Sequence, residues 1–170
     1  MPKGVTRLIL VGVVAGLRSQ LGTAAVALTT DPGERARPAN LFAGVWAKGI
    51  TATAALGELV GDKLPKTPSR LSPSGITSRM AFGALAAVAL ASREPGGAPP
   101  AVPATIGAAA SLAGTFGGAY WRRTVADAGR PDWPAALAED ATALLLAYAA
   151  VGHQWPRRVG PANLPIGLVR

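Results

Sequence analysis

The chain has 170 residues, of which 49% are hydrophobic and only 15% charged, against about 25% charged in an ordinary soluble domain. With no cysteine, disulfides, thiol catalysis and cysteine-ligated metals are excluded. The formal charge of +8 comes from basic residues that stand between apolar runs, which suits anionic lipid headgroups and argues against nucleic acid as a partner.

The first run, Leu8–Thr29, is long enough to span a bilayer, about 20 residues being required, although Arg18 interrupts it. Its basic start and the Ala25-Val26-Ala27 triplet also fit a cleaved signal peptide. A Pro-bearing loop (30–40) leads to a second helix over 41–64, and a Ser/Pro loop (65–74) to a third over 75–92. Ser74 is placed to cap that third helix, and Arg79, a turn inside, to snorkel to headgroups. The uncharged part of this helix is short, so it is the candidate for an interfacial or re-entrant segment. After the break at 93–103, a fourth run over 104–121 ends in Tyr120-Trp121-Arg122-Arg123, a membrane-boundary pattern. The fifth, 135–155, is bounded by Trp133 and Trp155, and 156–170 is a polar tail. The expectation is an all-α, polytopic helical membrane bundle: one domain over 1–155 with about five transmembrane helices, the alternative being four spans and one re-entrant or interfacial helix. Lys and Arg counts on the two sides favour, by a small margin, a cytoplasmic N-terminus and an external C-terminus; four spans with the third helix re-entrant would put both ends inside. The first and fourth runs resemble each other (Gly12/Gly107, Gly22/Gly117), as do the second and fifth. That raises an inverted repeat, although inversion should place Glu58 and Glu139 at opposite depths, whereas the five-helix topology puts both toward the same face.

The second helix carries the chemistry. At 100° per residue, Gly44, Lys48, Thr51, Ala55, Glu58 and Asp62 share one narrow stripe. An intramembrane carboxylate persists only with a partner. Arg18, the charge placed deepest in its run, is the expected partner of Glu58, either in a polar path or as a structural ion pair. Asp62 also fits an interface position beside Lys63 and Pro65, and Lys48 a snorkelling one. Glu139 and Asp140 are expected near the start of the fifth helix, where its dipole favours carboxylates; alternatively Glu139 shares a proton with Glu58. Lys66, Arg70, Arg79, Arg122 and Arg123 are the expected headgroup contacts. His153 lacks neighbouring ligands, so neither a metal nor a cofactor is expected. Three G-x-x-x-G matches (Gly12/Gly16, Gly57/Gly61, Gly114/Gly118) lie inside the runs and suit close helix packing.

Two motifs, Gly16-Leu17-Arg18-Ser19 and the segment from Gly57 to Leu71 (GELVGDKLPKTPSRL), resemble those of a family of small bacterial multi-pass integral membrane proteins of unknown function. The resemblance implies several spanning helices and pairs an arginine of the first helix with a carboxylate of the second; it implies no catalytic residue. The functional expectation is a small cell-membrane transporter or pore, oligomeric, with Arg18, Lys48, Thr51, Glu58, Asp62 and Glu139 along its path. The alternatives are a scaffold or lipid-interacting membrane protein and, third, a lipid-modifying enzyme, although no residue set resembles a reaction centre.

Overall fold

The computed structural model describes residues 3–61, 70–94 and 98–152. Over these residues the chain is all-α. The helices are α1 (Lys3–Leu17), α2 (Ser19–Thr29), α3 (Val45–Gly61), α4 (Pro73–Ala91), α5 (Ala101–Asp127) and α6 (Asp132–Val151), with a 3₁₀ turn at Ala39–Phe42 before α3.

The first apolar run is not one helix. Arg18 sits between α1 and α2 in an extended conformation (φ −140°, ψ 104°), and the chain doubles back there. A Cβ added at Gly22 of α2 would lie 3.0 Å from the Val11 carbonyl oxygen of α1, and Val26 and Ala27 share a buried cluster with Val11. So α1 and α2 form a helical hairpin with Arg18 at its tip. At about 1.5 Å per residue the limbs rise roughly 22 and 16 Å, so neither crosses a hydrocarbon core of about 30 Å. The expected span over 8–29 is therefore replaced by a hairpin.

The remaining helices line up with this hairpin. α3 runs antiparallel to α2, since Lys48 reaches Thr30 at its end and Glu58 reaches Ser19 at its start. α4 is antiparallel to α1: Arg79 meets Leu17 and Glu94 meets Arg7. So is α6, with Asp140 at Arg18 and Ala150 at Arg7. α5 is parallel to α1, because Gly12 packs on Gly107 and Gly16 on Ser111 and Gly114. The α1 half of the first run thus lies parallel to α5, not inverted, while its α2 half, with Gly22, turns back. The bundle has a tip end, around Arg18, and a root end, where α1 begins and α2, α4 and α6 finish.

Local chemistry sets the helix ends. α4 is capped by Ser72, whose Oγ accepts from the Gly75 amide (3.1 Å), with Pro73 at the first helical position. Proline suits that position because its missing N–H has no partner there anyway. This moves the cap two residues upstream of the expected Ser74. α5 closes at Gly129, whose φ of +67° allows its amide to reach the Ala126 carbonyl (2.9 Å). α6 starts at Asp132, so Glu139 lies about 10 Å along it. That is beyond the first turn, where a dipole argument would apply.

Among the described residues two helices, α4 and α6, are long and apolar enough to cross a membrane; five such helices were expected. α5 is 27 residues long, but Gly107, Ser111, Gly114, Thr115 and Gly118, which fit it against its neighbours, dilute its apolarity. Those glycines are needed. A Cβ at Gly12 would stand 2.6 Å from Gly107 O, and one at Gly83 the same distance from that oxygen. Of the three G-x-x-x-G pairs, Gly12/Gly16 and Gly114/Gly118 are packed against neighbours, whereas Gly57 and Gly61 face nothing within 4 Å. Gly12→Ala is therefore expected to lower unfolding stability by about 1–3 kcal/mol through overpacking. Gly57→Ala should raise it by up to about 1 kcal/mol through helix propensity. Chemical denaturation of both variants in one detergent tests the contrast, and equal effects would contradict the packing.

Candidate functional site

A helix cut in its middle exposes carbonyls at one new end and amides at the other, and both must be satisfied where water is excluded. The break at Arg18 is satisfied by side chains from three other helices. From α4, Arg79 Nη1 donates to the carbonyls of Gly16 (3.0 Å) and Leu17 (3.3 Å), the negative pole of α1. Thr115 Oγ1 of α5 adds a bond to Gly16 O (3.3 Å). From α3, Glu58 receives the Ser19 amide on Oε1 and the Gln20 amide on Oε2, both at 2.8 Å, at the positive pole of α2. The Ser19 hydroxyl also donates to Glu58 Oε1 (2.6 Å). Arg79 and Glu58 complete the arrangement as an ion pair (Nη2–Oε1 3.7 Å). Each charge thus lies at the dipole end it favours.

Arg18 itself is 1% exposed. Its partner is Asp140 of α6, which accepts from Nε at 2.7 Å and lies 2.6 Å from Nη2. The expected Arg18–Glu58 pair is thus replaced by Arg18–Asp140, because the extended backbone at residue 18 aims the side chain at α6. Adjacent residues on a helix point about 100° apart, so Glu139 faces elsewhere. Its Oε1 accepts from Arg70 Nη1 (2.5 Å), and its Oε2 lies 3.5 Å from Arg122 Nη1. Arg122 also pairs with Asp132, its Nε donating to Oδ1 at 2.6 Å. The proposed proton sharing between Glu58 and Glu139 gives way to these separate cationic partners.

The arginines expected at headgroups are correspondingly redistributed. Arg79 is buried on the hairpin tip, and Arg70 and Arg122 face Glu139. Arg123 is exposed. Asp62, Lys66 and His153 lie outside the described residues. Among the described residues the stripe on α3 does not form a line of polar contacts. Lys48 Nζ donates to Thr30 O (2.7 Å) at the root end, and the Thr51 hydroxyl returns to its own helix at Ala47 O (2.8 Å). Between Lys48 and Glu58 an apolar groove of about 400 Å³ contains Leu21, Ala24, Ala52 and Leu59. The spacing has a different use. Ten residues of α3 cover about 15 Å and the eleven residues of α2 about 16 Å, so one helix delivers a carboxylate to the start of the other and an ammonium to its end.

Beside the tip cluster lies a cleft of about 450 Å³, open to the bundle surface at Gly117, Trp121 and Thr142 and floored by Leu17, Gly118 and Glu139. A Cβ at Gly118 would stand 2.9 Å from both Arg70 Nη1 and Glu139 Oε1, so glycine there admits the ion pair. The Trp121 indole N–H donates to Ala135 O (3.3 Å), fixing one wall. Glu139 is 3% exposed, and its Oε2 has no hydrogen-bond donor.

A second set of charges lies at the root end, which sequence reasoning did not single out. Arg93 donates to Val26 O, Thr29 Oγ1 (3.1 Å) and Thr30 Oγ1 (2.5 Å), closing the end of α2 together with Lys48. Burial pushes the Arg93 guanidinium down to about 10, opposed by Glu34 and reinforced by Arg7, so it stays cationic at neutral pH. No sequence signal pointed to it: with five spans in series, Arg7 and Arg93 fall on opposite sides of the membrane, and only the doubling back at Arg18 brings them to one end.

The chain matches no protein-family model, no curated protein and no solved structure. A double-mutant cycle on Arg18→Met and Asp140→Leu is expected to return a coupling of at least about 1 kcal/mol, each single change costing about 3–5 kcal/mol by stranding a buried charge. Additive effects in denaturation would mean that the two side chains do not act as a pair.

Proposed function

We propose that the chain is a multi-pass membrane protein that passes a small polar solute, with the hairpin of α1 and α2 entering the membrane and turning back at Arg18. The supporting observation is the break itself: two helix ends, held by Arg79 and Glu58, meet inside the bundle beside a 450 Å³ cleft. Broken helices with ends turned to a mid-depth site are a recurrent way of building solute sites in transporters.

Helix directions support the membrane reading. α4 and α6 both run from tip end to root end, so if each crosses, the 27-residue α5 must return between them. α2 ends at the root and α4 starts at the tip, so α3 must also descend. The reading is therefore four crossings and one re-entrant hairpin, with the start of α1 and the end of α6 on one side. Only 33% and 44% of the apolar windows of α4 and α6 are buried, unlike the core helices of a soluble protein. Trp46, Ile50, Leu56 and Val60 of α3 and Leu145 and Tyr148 of α6 face outward, where lipid would cover them.

The scaffold reading has one observation in its favour. The tip charges Arg18, Arg79, Glu58 and Asp140 are all engaged within the fold, as a locked bundle requires.

Gly117 separates the two readings. Its Cβ direction is open for 4 Å, and it lines the cleft without touching an ion pair. Gly117→Phe should leave the helical content and melting point unchanged and abolish solute or ion flux in proteoliposomes, while Glu139→Gln alters the flux at matched incorporation. Unchanged flux in Gly117→Phe, or none in the wild type across ions and small polar solutes, would favour the scaffold.

A further inference from the structure

At the root end, a cavity of about 230 Å³ opens between the start of α1, the end of α4 and the start of α5. Its walls are apolar where Val5, Leu8, Leu90 and Pro103 line it, and two charged residues, Arg7 and Glu94, face it. Arg7 is only 7% exposed. Its Nε donates to Ala150 O (2.8 Å) and its Nη1 to Glu94 Oε1 (2.6 Å), but its Nη2 is buried without a hydrogen-bond partner. A buried guanidinium nitrogen left unsatisfied is costly and invites an acceptor. Glu94 is its counterpart. Its side chain is 47% exposed, Oε1 is held by Arg7, and Oε2 lies over Gly4 with no donor among the described residues. Arg7 and Glu94 thus both line this cavity, Arg7 with one buried nitrogen unsatisfied and Glu94 with one oxygen turned toward Gly4.

The first turns of α1 and α5 also border this cavity through Gly4, Val5 and Pro103. Helix starts carry partial positive charge and favour an anion. An isolated anion would meet the Glu94 carboxylate, and an isolated cation would meet Arg7. A zwitterion meets neither objection: its oxyanion faces Arg7 Nη2 and the helix starts, and its ammonium donates to Glu94 Oε2. Turning the half-exposed Glu94 side chain admits it while Arg7 stays anchored to Ala150. We infer that this cavity binds a zwitterionic phosphoammonium group, the chemistry of a phosphoethanolamine headgroup, with Leu8 and Leu90 against its apolar portion. The inference does not depend on solute transport through the tip site.

The probes are phosphatidylethanolamine and phosphatidylglycerol, offered to the purified full chain in mild detergent and read by native mass spectrometry. Soluble phosphoethanolamine is then titrated as competitor. The wild type should retain the ethanolamine lipid over the glycerol lipid by about tenfold, the value of one charge-assisted bond. Glu94→Gln, a change at a half-exposed side chain, should erase that preference while retaining phosphate binding. Arg7→Met should lose both lipids. Competition by the soluble headgroup would assign the site to a free solute, and its absence to the lipid; either supports the zwitterion pocket. Equal retention of the two lipids by the wild type overturns it, as does an unchanged preference in Glu94→Gln, which remains decisive if Arg7→Met does not fold.

Discussion

The structure depends on how the ends of a broken helix are satisfied. Cutting the first apolar run at Arg18 leaves the carbonyls of Gly16 and Leu17 and the amides of Ser19 and Gln20 without helical partners. In an apolar setting each such group costs several kcal/mol if left bare. Arg79 and Glu58 cover them with charge of the correct sign, so the satisfying groups also stabilise the dipoles of α1 and α2. The break frees residue 18 from the helix, and its extended backbone lets the guanidinium reach Asp140 on a different helix.

The placement of the other helices follows from that arrangement. α3 must lie antiparallel along α2 because it supplies both Glu58 and Lys48, one to each pole. α4 must bring Arg79 to one end of the hairpin and Arg93 to the other. These long side chains fit because the helices carrying the backbone contacts are almost bare. Gly12, Gly16, Gly83, Gly107 and Gly114 let α1, α4 and α5 touch without Cβ atoms between them. The high glycine and alanine content thus belongs to the same design as the buried arginines: small residues close the interfaces, and the few large polar ones occupy the remaining space.

Much of this was legible in the sequence at the level of individual residues. Arg18 stood out as a charge deep in an apolar run, and Glu58 and Lys48 as charges on one helix face. All three are engaged in holding the hairpin. Their partners were not legible. Glu139 and Asp140 are neighbours of like charge in the sequence, and only the rotation of α6 decides which meets Arg18 and which meets Arg70. Arg7 and Glu94 are 87 residues apart and have no periodicity in common, so nothing short of the packed helices brings them to one cavity. The headgroup reading of Arg79 failed for a related reason: a basic residue one turn inside a helix snorkels outward unless a carbonyl without a partner lies within reach.

By itself the sequence determined helical class, the positions of most helix segments, and the residues whose burial demands a partner. These follow from local composition and from a period of 3.6, which neighbouring residues set among themselves. The tertiary structure decided that the first run is a hairpin and not a span. No Gly or Pro marks residue 18, so local propensity allows an unbroken helix there; the break is stable because Arg79, Glu58 and Asp140 arrive from 38 to 122 residues away in the chain to satisfy it.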